Sequence, residues 1–184
     1  MKPLSLKLRA ISLLSRREHS VLELRRKLLH VARVAFVARE VQRKAALASS
    51  SDTLSDDVCA RAPHAAVDLA QEVDDLLIWL QAQNYLDEAR FVESRTHARE
   101  QRFGSLRIKQ ELAQHGLVLS KEGQADLNAT ELARARALWQ RKFHGVAASD
   151  LAGRAKQSRF LMARGFAPDV IRRILRTPLA ADDA

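Results

Sequence analysis

Apolar residues in this chain recur at intervals of three and four, and this constrains the fold more than any other feature. Val73, Leu76, Leu77 and Leu80 lie on one stripe. So do Leu132, Ala135, Leu138, Trp139 and Phe143, and again Ile171, Ile174 and Leu175. That spacing puts each set on one face of an α-helix. The stripes are short, and cap or stop residues separate them. Ser20, Asp87, Ser105, Thr130 and Asp150 can each cap a helix start, Gly104, Gly116 and Gly165 can each end one, and Pro168 suits a first turn. Helices of about 10–16 residues are marginal alone and must pack on neighbours. Only six glycines and four prolines occur in 184 residues, which argues against a turn-rich β-sandwich or barrel.

The expected helices run over 6–16, from 21 through a basic extension at 31–47, and over 68–83, 88–102, 105–115, 131–143, 151–164 and 168–176, with a weak one at 120–129. The weakness there comes from Gly123 and few apolar side chains. The polar stretch Ser49–Asp57 has nothing to bury, and 48–66 reads as a flexible linker. The helices fall into three groups of three. The second helices share an inward leucine (Leu24, Leu112, Leu161), and the last two groups repeat at roughly 50 residues. The chain is therefore expected to be all-α: three tandem three-helix, helix-turn-helix-like repeats in an elongated curved array. Repeat one covers 1–86, with an inserted basic segment and linker at 31–66; repeat two covers 87–129; repeat three covers 130–178; and 179–184 is a disordered tail.

Charge is distributed in blocks. Residues 1–47 carry 12 basic and 3 acidic side chains, 48–88 carry 1 and 9, and 89–184 carry 18 and 10, within a formal net charge of +9. Such a balance suits an acidic partner. The candidate contacts are Arg16, Arg17, Arg25, Arg26, Lys27, Arg102, Arg107, Lys109, Arg141, Lys142, Lys156, Arg159, Arg164, Arg172 and Arg173. Solvation is the ordinary fate of surface cations, and about half of this set is expected to be only that.

Catalytic chemistry finds little support. No glycine-rich phosphate loop occurs, the six histidines are scattered without metal-ligand spacing, and Cys59 has no placed base. Neither a catalytic residue, a cofactor nor a metal is expected. A single cysteine fits a reducing compartment, and the opening residues lack the apolar run of a secretory signal. A cytoplasmic location follows as the expectation. The 31–47 segment sets Val31, Val34, Phe36, Val37 and Val41 among Arg33, Arg39, Arg43 and Lys44. It reads as an extension of the second helix rather than a membrane anchor. Trp79, Trp139, Phe91, Phe143, Phe160 and Phe166 sit mainly on or beside the apolar stripes and are expected in the core.

Several fragments together resemble the RecX family. They are Ser15-Arg16-Arg17-Glu18-His19-Ser20 with Glu23-Leu24-Arg25-Arg26-Lys27-Leu28; Tyr85-Leu86-Asp87 with Arg90-Phe91; Gly104, Ile108, Glu111-Leu112 and Gly116; Arg141-Lys142-Phe143; and Arg159-Phe160-Leu161, Arg164-Gly165-Phe166 and Ile171. Their order and spacing cover most of the chain outside 31–66. The resemblance implies a negative modulator of the RecA recombinase. Such a protein lodges in the groove of the RecA–single-stranded-DNA filament and inhibits ATP hydrolysis, strand exchange and coprotease activity. The implied partners are the RecA filament and, weakly and without sequence preference, single- and double-stranded DNA. A monomer without membrane contact suffices for this role. The alternative is a helix-turn-helix transcriptional regulator, which would dimerise on paired half-sites.

Overall fold

A computed structural model describes residues 5–48 and 61–176. Among them are eight α-helices and no strand: α1 (Leu6–Leu14), α2 (Val21–Ala48), α3 (Arg61–Ala82), α4 (Glu88–Glu100), α5 (Ser105–Ala113), α6 (Lys121–Phe143), α7 (Leu151–Met162) and α8 (Pro168–Arg176). The chain divides into two compact units between Phe91 and Val92, a division that falls within α4.

Three helices are longer than the expected 10–16 residues. α2 has 28 residues because the basic segment continues the second helix without a break. α3 takes in residues 61–66, which are helical rather than linker. Residues 49–60, the rest of that linker, and the expected tail at 179–184 lie outside the described residues. The third correction is α6. The weak helix at 120–129 and the strong one at 131–143 form a single helix of 23 residues. Its N-cap is Ser120, whose hydroxyl accepts from Gly123 N–H at 3.0 Å. Thr130 caps nothing; its hydroxyl donates back to the Asp126 carbonyl at 3.1 Å, as a threonine inside a helix can. The expected boundary between repeats two and three, at 129/130, thus lies mid-helix.

Local signals elsewhere act as expected. Ser20 Oγ accepts from Glu23 N–H, and Asp87 Oδ1 accepts from Ala89 N–H at 2.7 Å. Asp150 caps α7 through Gly153 N–H at 2.9 Å. Gly116 and Gly165 take the positive φ that ends α5 and α7.

The first unit packs α1 and α3 on α2. Leu24, Leu28 and Ala32 form one buried cluster with Val73, Leu77 and Leu80, joined by Ala10 and Leu86. Beyond Ala32, Val34, Val37 and Val41 are 57%, 59% and 61% exposed. Lys7 Nζ sits 3.6 Å above the Trp79 ring and joins α1 to α3.

The second unit builds its core from α6, α7 and α8. Ala135, Leu138 and Trp139 meet Leu161, Phe166, Val170, Ile171 and Ile174. Phe143 and Phe160 pack edge to face at 5.2 Å. Phe91, Trp139 and Phe166 are buried, as the core assignment for the aromatics expects. Gln157 is also buried and holds the loop before α7: its amide donates to Val146 O at 2.8 Å and accepts from Ala148 N–H.

Candidate functional site

The candidate cations fall into two groups, those tied within the protein and those left to solvent. In the first unit three of the five are tied. Glu23, one turn into α2, pairs with Arg17 and with Lys27 at 3.0 Å. It also lies 3.3 Å from the Nδ1 of buried His19. Burial opposes ionisation of Glu23, yet the hydrogen bonds from Arg17 and Lys27 and the nearby charges bring its carboxyl down to about 2. Burial first, and then the charge of Arg17, holds the His19 imidazole below the ordinary histidine range. Arg25 grips Asp74 with two parallel hydrogen bonds, Nε to Oδ1 at 2.6 Å and Nη2 to Oδ2 at 2.8 Å, and so links α2 to α3. The Arg25 bond is the main cause holding the Asp74 carboxyl below its usual range. Asp74 is therefore half of an interhelix pair. Arg16 and Arg26 are exposed and make no ion pair among the described residues.

In the second unit Glu111 gathers three guanidinium groups: Arg99 at 3.1 Å, Arg95 at 3.4 Å and Arg107 at 3.8 Å. Arg107 is thus partly engaged. Arg102, Arg99 and Arg107 also surround the Phe103 ring at 5.3–6.0 Å. Arg164 stacks on Phe160, its guanidinium carbon 3.8 Å from the ring centre. Lys109, Arg141, Lys142, Lys156, Arg159 and Arg172 are exposed and without an ion pair among the described residues; Arg173 is exposed as well.

Sequence reasoning missed the groups that hold the middle and last domains together. Glu131 on α6 is 3% exposed. Its carboxylate accepts from Ser105 N–H at 3.0 Å, Ser105 O–H at 2.9 Å and Ala167 N–H at 3.2 Å. One carboxylate thereby caps the starts of both α5 and α8, where unpaired N–H groups and the helix dipoles favour negative charge. Ser105 is accordingly the first residue of α5 and not its cap, a position held by Gly104. Arg134, one turn further on, donates to Glu100 O at 2.6 Å, Phe103 O at 3.0 Å and Leu127 O at 2.7 Å, and so closes the end of α4. Gly104 does not end α4 by a left-handed turn; its φ is −79°. It is glycine because a Cβ there would stand 2.2 Å from the Gly165 carbonyl oxygen. No cluster of three or more His, Cys, Asp or Glu side chains able to hold a metal occurs among the described residues, and no helix there is long and apolar enough to cross a membrane.

The fold and its surface define an all-helical scaffold of three-helix domains that carries unpaired cations on both units. Comparison with known proteins gives the class a family. Residues 87–117 match the model described as RecX, second three-helix domain, and 129–175 match RecX, third three-helix domain. The regulatory protein RecX of Ralstonia pickettii (strain 12J) is 43% identical over 176 residues, covering 95% of this chain and 88% of that protein. That of Leptothrix cholodnii is 41% identical over 175 residues, covering 94% and 88%. That of Herminiimonas arsenicoxydans is 39% identical over 181 residues, covering 97% and 96%. The chain belongs to the RecX family.

Proposed function

We propose that this protein is a negative modulator of the RecA recombinase. It acts in the cytoplasm as a binding scaffold with no catalytic site of its own. It lodges in the groove of the RecA–single-stranded-DNA filament and slows ATP hydrolysis, strand exchange and coprotease cleavage. The observation that carries this reading is the identity to regulatory RecX proteins over nearly the whole chain. The unpaired cations support it. Arg16 and Arg26 on one unit, and Lys109, Arg141, Lys142, Lys156, Arg159 and Arg172 on the other, offer many modest contacts rather than one pocket. Contacts made by linked domains become intramolecular after the first, so affinity accumulates across them. Arg17, Arg25 and Lys27 contribute indirectly, by fixing the helices that present their neighbours.

The test is RecA's DNA-dependent ATPase, titrated with this protein, with coprotease cleavage in parallel. Inhibition of both by equimolar protein supports the proposal. Unchanged ATPase and filament length would sink it, and selection of one palindromic duplex would favour a transcriptional regulator instead.

A further inference from the structure

A groove of about 310 Å³ runs between α7 and α8. On α7, Arg154, Ser158 and Met162 follow at intervals of four and form one wall. On α8, Ile171, Arg172, Leu175 and Arg176 face them across the groove. Met162 is 52% exposed and, with Ile171 and Leu175, gives the groove its apolar floor. Three guanidinium groups stand around that floor, and among the described residues no carboxylate lines it. Arg154 spends its Nε on Ala148 O at 2.9 Å, which fixes the side chain and leaves its terminal nitrogens without a partner among the described residues. Arg172 and Arg176 are exposed and form no ion pair there.

We infer that this groove binds a peptide segment of the partner in which an apolar side chain is flanked by carboxylates. The inference rests on the RecA reading above and deepens it, since the segment would belong to a RecA subunit. The two chemistries of the groove select this occupant together. A phosphate backbone would satisfy the arginines but gain nothing from Met162, Ile171 and Leu175 beneath it. A purely apolar segment would leave three cations facing apolar surface. A leucine, methionine or phenylalanine seated on the floor, with aspartate or glutamate on either side, satisfies both, and the arginine fork favours carboxylate.

The test uses the full chain and RecA–single-stranded-DNA filaments. Met162→Ser removes only apolar contact and changes no charge; it should weaken filament binding at least ~3-fold while binding to oligo-dT alone stays within ~1.5-fold. Arg154→Gln with Arg176→Gln should weaken filament binding about tenfold or more. A benzophenone placed at Met162→Cys, in a Cys59→Ser background, should cross-link filament-bound protein to a RecA peptide containing acidic residues beside an apolar one. Filament binding by Met162→Ser within ~1.5-fold of the parent overturns the inference. So does cross-linking to DNA, or to the chain's own residues beyond Arg176. If the parent chain binds no filament at all, the RecA reading itself has failed, and the groove is not what failed.

Discussion

Gly104 and Gly165 meet backbone against backbone. Gly104 N–H donates to Arg164 O at 2.9 Å, Leu106 N–H donates to Gly165 O at 3.1 Å, and a Cβ on Gly104 would fall within 2.4 Å of Gly165 C and Phe166 Cα. The start of α5 is thereby seated on the turn between α7 and α8, and the middle and last three-helix domains share a hydrogen-bonded seam.

The first prediction tests that seam. Gly104→Ala should destabilise the protein by about 3 kcal/mol or more, because the obstructing atoms are backbone and cannot rotate away. Gly123→Ala is the control. Gly123 is helical, and its Cβ would meet only side-chain atoms at 3.4–3.5 Å. That substitution should stabilise by about 0.5–1 kcal/mol. Urea denaturation of the two variants checks both signs.

Glu131 supplies the second. Replacing it with alanine strands three donors, two buried at Ser105 N and Oγ and one half-buried at Ala167 N. The expected cost is about 2–4 kcal/mol. Hydrogen exchange should show faster amide exchange at both Ser105 and Ala167, residues 62 positions apart in sequence. A change at only one of them would mean that the carboxylate does not join the two helix starts.

Acid stability is the third. The folded Glu23 carboxyl titrates near 2 against an ordinary 4.5. A depressed acid stabilises the folded state above its unfolded value and loses that contribution as pH falls toward the folded one. Glu23→Gln should therefore cost about 1–3 kcal/mol at neutral pH, a figure reduced by the half-exposed Arg17 and Lys27. The deficit should shrink between pH 4.5 and 2. His19, lowered by burial, acts in the same sense at higher pH: the folded state resists its protonation, so stability falls as pH drops below 6.5. Denaturation of parent, Glu23→Gln and His19→Gln chains across this range separates the two contributions.

The fourth separates structural from contacting cations. Arg25→Ala should lower the urea midpoint, since it unties α2 from α3. Arg26→Ala and Lys142→Ala should leave the midpoint unchanged. Each should instead weaken binding to single-stranded DNA and reduce the slope of log K against log salt by up to ~1. A Lys142→Ala chain with an unaltered salt slope would remove Lys142 from the contact surface.

Local signals were legible in the sequence. Asp87 and Asp150 cap within three residues of themselves, and the Leu24–Leu28 and Leu77–Leu80 stripes need only helical period to be seen. Three-helix grouping followed from them. What was not legible depends on distant partners. Arg25 meets Asp74 across 49 residues, and Ser105 meets Glu131 across 26. Before the fold is known, each reads as an ordinary surface charge or cap. Thr130 looked like a helix start because threonine side chains serve equally well at a cap and, bonded backward, within a helix. Gly104 reads in the sequence as a helix stop, whereas the Gly165 backbone that excludes a side chain there comes from 61 residues downstream.

α6 also works as a phased shaft. Glu131 serves the start of α5 at one end, while Ala135, Leu138 and Trp139 address α7 and α8 at the other. An α-helix turns about 100° and advances about 1.5 Å for each residue. One residue inserted between Glu131 and Ala135 would keep every side chain in this list and still swing the two sets of partners a quarter-turn or more out of alignment. The number of residues in that helix is thus itself a specification, as strict as the identity of Glu131.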